Sequence, residues 1–151
     1  MAALETGYRK FLAVDHGDRR IGIAVSDETL SFARALCIIE HVSRLKDAEA
    51  VIALALKEQC TDILVGVPYD SDGGEGPRAR KVLRFVNTLK ELSTMPVHVW
   101  DESGSSIALQ NLSITMGQTA KKRQKPSDDR VAALILQDYL DHHNFDEANN
   151  A

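Results

Sequence analysis

Carboxylates stand at three points of the sequence where predicted elements end or begin. Asp15 closes one apolar segment, Asp101 and Glu102 close another, and Asp128 and Asp129 open the last predicted helix. Ligands of open α/β sheets gather beyond the carboxyl ends of strands, so these acids are candidates for one shared site. Clustered carboxylates repel one another unless cations are bound, and Mg²⁺ and Mn²⁺ prefer oxygen ligands of this kind. Two such ions about 3.5–4 Å apart can stabilise the attacking and leaving oxygens of a phosphodiester displacement.

Each acid also has an ordinary structural interpretation. An aspartate that follows a strand is often a turn residue, and Asp128 beside Ser127 would favour the N-terminus of a helix electrostatically. Spacing along the chain does not by itself bring the three groups together, so both interpretations remain open at this point.

The pattern of apolar residues predicts the elements that must position these acids. Short apolar or alternating segments predict strands over residues 11–15, 21–25, 34–40, 62–67 and 97–100. Helical spacing predicts helices over 43–59, 77–92, 105–116 and from 128 onward, with Ser43 and Ser127 as N-caps and a loop over 117–126. Three antiparallel strands followed by βαβ units predict an α/β fold, a ribonuclease H-like mixed five-stranded sheet whose later strands are parallel and which helices flank.

Length and composition set the broad class of the protein. The 151 residues fit one domain over 1–151, with an ordered core over about 8–142. Hydrophobic residues make up 44% and charged residues 26%, which is typical of a globular protein in water. The N-terminus has no apolar segment of signal-peptide length, and no segment approaches the roughly 20 apolar residues of a membrane span. We therefore expect no membrane partner and a cytoplasmic location.

The cysteines and histidines form no predicted metal site. Cys37 and Cys60 lie in apolar segments without a CxxC pair, which predicts buried thiols in a reducing compartment. Four histidines lack metal-ligand spacing toward any carboxylate, and no role is predicted for them: His41, His98, His142 and His143.

The formal net charge of −4 argues weakly against a nucleic-acid partner. Local patches and bound cations set the field that such a partner meets, so total charge decides little. Two groups of cations stand out, one made of Arg78, Arg80, Lys81 and Arg84, and the other of Lys121, Lys122, Arg123 and Lys125.

Four segments of the chain, in order, resemble the signature blocks of a known family. The first is 15–27, DHGDRRIGIAVSD, and the second combines VGVP at 65–68 with DGGEGPRA at 72–79. The third starts at Asp101, and the fourth runs over 128–141 with AALILQ inside it. These blocks resemble those of the YqgF/RuvX proteins, bacterial ribonuclease H-like proteins described as candidate Holliday-junction resolvases and as nucleases that mature the 5′ end of 16S ribosomal RNA.

The resemblance implies which acids bind the metal ions. The family's first-strand aspartate falls on Asp15, its third-block acid on Glu102 and its fourth-block aspartate on Asp128 rather than Asp129. Strand alternation turns only one of the neighbouring pair toward the metals, and we predict Glu102, with Asp101 as an outer group. Asp15, Glu102 and Asp128 are thus the implied catalytic and metal-binding residues, holding Mg²⁺ or Mn²⁺, as two ions.

The resemblance also implies a path for nucleic acid beside these acids. Arg19 and Arg20 follow Asp15 closely enough to contact a phosphate. Where the family usually carries Arg, Leu and two Thr or Ser residues after the acidic pair, this chain has SGSS at 103–106, which removes a planar cation suited to phosphate. The predicted nucleic-acid-binding residues are Arg19, Arg20, Arg78, Lys121, Lys122, Arg123 and Lys125.

The resemblance therefore predicts a metal-dependent endonuclease of structured nucleic acid, acting in 5′-end maturation of pre-16S rRNA, in Holliday junction resolution, or in both. Two symmetric cuts would require a dimer, whereas trimming of RNA would not, so monomer and homodimer both stay open. The alternative is a non-catalytic nucleic-acid-binding or regulatory module on the same fold, as the altered segment 103–106 suggests. A kinase-like phosphotransferase is disfavoured, because it would need a second lobe to enclose ATP and the chain has no glycine-rich phosphate loop of the usual spacing.

Overall fold

The structure is a computed structural model that describes residues 7–102 and 128–143, except for the side chain of Asp128. Five strands and three helices follow one another within these ranges. The strands are β1 (Phe11–His16), β2 (Arg20–Ser26), β3 (Ala33–Glu40), β4 (Asp62–Val67) and β5 (Val97–Asp101), and the helices are α1 (Arg44–Lys57), α2 (Pro77–Leu92) and α3 (Asp128–His143).

The strands form one mixed sheet in the order β3-β2-β1-β4-β5. β1 pairs antiparallel with β2 and β2 with β3, while β4 lies parallel to β1 and β5 parallel to β4. The predicted α/β architecture is therefore confirmed, and each strand ends within one residue of its expected bounds. The helix predicted over 105–116, the loop over 117–126 and the predicted cap Ser127 lie outside the described residues.

Local sequence explains where α1 and α2 begin. The Ser43 side chain accepts a hydrogen bond from the Lys46 backbone N–H at 3.1 Å, which confirms the predicted N-cap. Pro77 opens α2 after the cap residue Gly76, at a position where the missing N–H of proline removes no helical hydrogen bond. The apolar residues of α2 are buried on one side of the helix, so its cations remain exposed on the other.

Helices cover both faces of the sheet. α1 and α2 pack on one face, against side chains that include Leu12 and Val14 of β1. α3 packs on the opposite face, where Phe11 and Ala13 of β1 meet Ile135. β1 and β4 are covered on both sides and buried along almost their whole length, which explains their nearly continuous apolar sequences.

The thiols differ in burial because of where their strands lie. Cys60 is buried, as predicted, whereas Cys37 is only half-buried because it belongs to the edge strand β3, so that prediction was wrong for Cys37. Both cysteines are free. Among the helices that the structure describes, none is long and apolar enough to cross a membrane.

Asp62 is a buried acid at the start of β4 that joins three parts of the chain. Its Oδ2 accepts a hydrogen bond from Arg9 at 3.1 Å and lies 2.7 Å from Nε2 of His98. Its Oδ1 accepts from the Thr61 hydroxyl at 2.7 Å. Burial alone would raise the pKa of Asp62, but these hydrogen bonds and the charge of Arg9 outweigh burial and lower its pKa to about 2.

The Asp62→Asn variant should lose about 2 kcal/mol of unfolding free energy at neutral pH. The pKa of Asp62 falls from an ordinary 3.8 to about 2 on folding, so the ionised carboxylate stabilises the protein above its unfolded pKa. That contribution disappears as the pH falls from about 5 toward about 2. Urea unfolding from about pH 3 to pH 7 should therefore give wild-type and variant curves that converge in acid.

Glu91→Gln is the matched control for this experiment, since Glu91 is an exposed carboxylate of α2. Its unfolding free energy should stay within about 0.5 kcal/mol of the wild type. An offset for Asp62→Asn that stayed constant across the pH range would show that the carboxylate charge contributes nothing to stability.

Candidate metal centre

Asp15 lies at the carboxyl end of β1, the central strand of the sheet. It is half-buried and pairs with Gly22 across the β1–β2 ladder. Because side chains alternate along a strand, Asp15 shares a face with Phe11 and Ala13, which pack against α3. The carboxylate is therefore presented on the α3 face of the sheet, at the end where strand-end ligand sites form.

Glu102 directly follows β5, and its backbone N–H donates to the Val67 carbonyl at 3.2 Å. Its carboxylate lies over Gly66 of β4, where Oε2 is 3.1 Å from the point that a Cβ at residue 66 would occupy. Ile135 Cδ1 of α3 is 2.7 Å from the same point. A side chain at residue 66 would meet both groups, so this glycine creates the space that the Glu102 carboxylate occupies.

The strand register brings Asp15 and Glu102 toward each other. β1 and β4 pair in parallel with Val14 beside Val65, so continuing the register by one residue places Asp15 beside Gly66. Neighbouring strands lie about 4.8 Å apart, and Glu102 reaches over β4 from the side of β5. The Glu102 carboxylate thus lies above the strand next to Asp15, on the same face of the sheet.

The electrostatics of Glu102 suit a cation ligand. Burial raises the pKa of the Glu102 carboxyl, the positive charge of Arg78 opposes this, and the negative charge of Asp101 adds to it. A carboxylate that is costly to ionise beside a second acid gains from a bound divalent cation, which offsets both the burial and the repulsion. Asp15 and Glu102 supply oxygen donors only, and Mg²⁺ and Mn²⁺ favour such donors, so these residues fit the predicted ions.

Asp128 is the first residue of α3, and its side chain lies outside the description. Helical spacing places Asp128 one turn before Ala132 and two turns before Ile135, both buried against the α3 face of the sheet. Asp129 is half-buried, and its charge, after burial itself, raises the pKa of Cys37 on β3. The helix therefore places residue 128, rather than 129, in line with Ile135, whose side chain approaches Gly66.

Several of the described cations lie around the same end of the sheet. Arg78 of α2 is exposed, and its positive charge opposes the rise in the pKa of Glu102. It also adds to the hydrogen bond and charge of Lys81, which are the main causes of the lowered pKa of Asp18. Arg19, in the turn after β1, and Arg20, the first residue of β2, are exposed and close in sequence to Asp15. Lys81 Nζ lies 2.6 Å from Asp18 Oδ1, which ties α2 to this turn. The predicted contacts Lys121, Lys122, Arg123 and Lys125 and the altered segment 103–106 lie outside the described residues.

His41 and His98, for which the sequence predicted no role, each lie against a carboxylate. His41 Nδ1 is hydrogen-bonded to Asp47 Oδ2, and His98 Nε2 lies 2.7 Å from Asp62 Oδ2. Both pairs join different elements, so spacing within one element gave no signal. The capping position of Ser43 could have indicated the first pair, because it places Asp47 in the first turn of α1, just after the segment that carries His41.

Comparisons with known proteins show which family the sequence resembles. A profile of the RuvX family, described as Holliday junction resolvase, matches residues 9–142. A protein of Mesorhizobium japonicum, provisionally named pre-16S rRNA nuclease, is 38% identical over 133 residues, which cover 88% of this chain and 80% of that protein. A protein of the same name from Halothermothrix orenii is 36% identical over 135 residues, covering 89% and 96% of the two chains.

Solved structures show a likeness of fold. RuvC of T. thermophilus in complex with a Holliday junction substrate has a TM-score of 0.56 at 13% sequence identity, with 92% of this chain and 98% of that chain covered. A second Thermus thermophilus RuvC structure gives a TM-score of 0.52 at 12% identity, covering 89% and 96%. The ribonuclease H-like sheet predicted from the order of elements is thereby confirmed.

Gly66→Ala should lower the free energy of unfolding by about 1–3 kcal/mol, as overpacking of a buried position does. The new Cβ would lie 2.7 Å from Ile135 Cδ1 and 3.1 Å from Glu102 Oε2, so at least one of them must move. Adding Ile135→Val removes the Cδ1 atom and should recover part of the loss, measured by urea unfolding. In the double variant the new Cβ still lies 3.1 Å from Glu102 Oε2. Any stability that it recovers therefore comes from the relieved contact with Ile135 and not from the contact with Glu102.

Gly74→Ala provides the matched control, because the Cβ it adds comes closest to the flexible side chain of Asp72, at 3.0 Å. Its stability should change by no more than about 0.5 kcal/mol. Equal stability of wild type and Gly66→Ala would show that residue 66 does not hold this space open.

Proposed function

The chain belongs to the RuvX family, and on that basis we propose that it is a metal-dependent endonuclease that hydrolyses phosphodiester bonds in structured nucleic acid. The observation that supports the proposal is the Glu102 carboxylate over Gly66, the residue that follows Val65, which pairs with Val14 just before Asp15. Asp128, at the start of α3, completes the proposed set of ligands. Mg²⁺ or Mn²⁺, bound as two ions, is the proposed cofactor.

We propose precursor 16S rRNA as the substrate, cut during maturation of its 5′ end, because relatives 35–38% identical to this chain carry that name. Holliday junctions are the second substrate, supported by the description of the family. Resolution of a junction needs two symmetric cuts and hence a homodimer, whereas a monomer suffices for RNA. The free thiols Cys37 and Cys60 suit the reducing cytoplasm, where we place the reaction.

The bound ions would supply an activated water and stabilise the leaving oxygen. Asp15 belongs to a strand paired on both sides, so it would hold its ligand oxygen in a fixed position. Glu102 would bring the second carboxylate from the end of β5 across Gly66, next to Ile135 of α3. The two acids thus bind and orient the ions, and no side chain of the protein needs to act as the nucleophile.

Cations next to these acids would position the nucleic-acid backbone. Arg78 acts electrostatically on both Glu102 and Asp18, so its guanidinium is suited to a phosphate close to the ions. Arg19 and Arg20 extend the positive surface along the turn after β1. The second part of the proposed path is formed by Lys121, Lys122, Arg123 and Lys125.

Asp15→Asn should abolish metal-dependent cleavage of labelled precursor 16S rRNA and of a four-way DNA junction. A neutral amide at this position binds a divalent cation far more weakly, because the charge that compensates the ion is lost. We expect the cleavage rate to fall by at least about 1000-fold, close to the loss caused by removing a central electrostatic group. The assay compares Mg²⁺, Mn²⁺ and EDTA, and Glu102→Gln and Asp128→Asn should behave in the same way.

Asp129→Asn is the matched control for Asp128→Asn, because its charge faces Cys37 and should leave cleavage within about twofold of the wild type. If the wild type binds RNA or junction DNA but cuts neither with either metal, the chain is a non-catalytic binding module. Equal cleavage by wild type and Asp15→Asn would remove Asp15 from the active site.

Arg78→Ala should reduce the slope of log Kd against log salt by about one for nucleic-acid binding, because each phosphate contact releases about one counterion. Replacing Lys121, Lys122, Arg123 and Lys125 together should reduce it by up to about 3–4. Fluorescence anisotropy at several salt concentrations measures both slopes.

The control for this experiment replaces Lys57 and Lys90, which lie in the last turns of α1 and α2. These helices return the chain to the amino ends of β4 and β5, away from the proposed centre. The double control should leave the slope within about 0.5 of the wild type. A slope equally insensitive to Arg78→Ala and to the control would contradict the proposed path.

A further inference from the structure

Two histidines and an aspartate meet on the face of the sheet opposite to Asp15. His16 ends β1, His41 follows β3, and Asp47 lies in the first turn of α1. One potential ligand atom from each residue lies within 4.8 Å of the other two. Alternation along β1 turns His16 away from the neighbouring Asp15, so this group is separate from the proposed nuclease centre.

His16 is a buried polar side chain that has no hydrogen-bond partner among the residues that the structure describes. It is 7% exposed, and within residues 7–102 and 128–143 no hydrogen bond reaches its ring nitrogens. The ring packs against Phe85 of α2 with centroids 4.4 Å apart, which fixes its plane. Buried polar groups are almost always paired, so an imidazole directed at two potential ligands but paired with neither indicates a missing partner.

Asp47 is oriented toward the same point by the backbone around it. The carboxylate is 1% exposed, and its Oδ1 accepts a hydrogen bond from the Val42 N–H at 2.9 Å. Its Oδ2 is hydrogen-bonded to Nδ1 of His41, whose side chain is 30% exposed. One oxygen of the aspartate is thus bound to the backbone, and the other is directed toward the histidines. Hydrogen bonds of this kind commonly orient the side chains that bind a metal ion.

We propose that His16, His41 and Asp47 bind a single Zn²⁺ ion. Two imidazoles and one carboxylate form a common zinc ligand set, with a fourth position for water on the exposed side of His41. Zinc bonds of about 2.0–2.1 Å place tetrahedral ligand atoms about 3.4 Å apart, so binding would draw His16 toward the other two ligands and would separate the hydrogen-bonded atoms of His41 and Asp47. When Zn²⁺ binds Nδ1 of His41, the ring proton moves from Nδ1 to Nε2, so the imidazole stays neutral and the site with its ion carries one net positive charge.

The ion would connect the end of β1, the segment after β3 and the start of α1. These three parts come from distant points of the sequence, and the residue before His16 is the proposed metal ligand Asp15. The site does not rest on the nuclease proposal, because imidazole ligands favour zinc over Mg²⁺ and the two sites use opposite faces. Zinc binding would therefore stabilise the carboxyl end of β1 from the face opposite to Asp15.

Titration of metal-free protein with Zn²⁺ against a chromophoric chelator, and with Co²⁺ by visible absorption, tests the proposal. The wild type should take up about one tightly held ion and show the intense bands of four-coordinate Co²⁺. His41→Gln and His16→Phe should each weaken binding by more than about tenfold. Phenylalanine at residue 16 keeps a ring against Phe85, and His41 is partly exposed, so circular dichroism should show both variants folded.

Two controls separate this site from the rest of the molecule. Asp15→Asn should keep the Zn²⁺ affinity while losing nuclease activity, so the two proposals can fail independently. His98→Gln removes another histidine that faces a carboxylate and should leave zinc binding unchanged. The zinc proposal is overturned if wild type binds no stoichiometric Zn²⁺, or if His41→Gln binds it as tightly as the wild type.

Discussion

The position of β1 is the constraint on which the other features of the protein depend. The strand is hydrogen-bonded to β2 on one side and to β4 on the other, and helices cover both of its faces. Its last two residues, Asp15 and His16, therefore point to opposite faces and meet different neighbours. A slip of one residue in register would exchange the two and would also turn the apolar side chains of β1 to the wrong layers. Packing of the core thus fixes the chemistry at the strand end.

Gly66 shows how the sheet accommodates a half-buried acid. A parallel strand covered on both faces normally carries large apolar side chains, and β4 carries them at every interior position except Gly66. The missing side chain leaves room on the α3 face for the Glu102 carboxylate and for Ile135. Burial raises the pKa of Glu102, so the arrangement is unfavourable for an ionised acid by itself and becomes favourable with a cation. Structure and proposed cofactor are therefore linked through one glycine.

Much of this architecture could be predicted from the sequence, and the part that could not has a physical reason. Continuous apolar segments gave β1 and β4, and Ser43 and Pro77 gave the starts of α1 and α2, because these signals are local. Contacts such as His41 with Asp47 and His98 with Asp62 depend on how separate elements pack, which spacing does not encode. The burial of Cys37 was misjudged for the same reason, since an apolar segment does not reveal that its strand lies at the edge of the sheet. The identity of the metal-binding acids came from family resemblance, and their roles stay predictions.

The two proposed ligands that the structure describes differ in how firmly they are held. Asp15 is part of the central strand and pairs with Gly22. Glu102 lies beyond the end of β5, and its backbone N–H donates a hydrogen bond to the Val67 carbonyl. A site built on a strand interior holds its geometry better than one built on a segment that leaves the sheet. The sequence change at 103–106, where the family usually carries an arginine, begins directly after Glu102. Its effect should therefore fall on the side of the proposed site that Glu102 forms, and leave the oxygen of Asp15 in place. Substrate preference, rather than the ability to bind metal, is the property in which this chain should differ from its relatives.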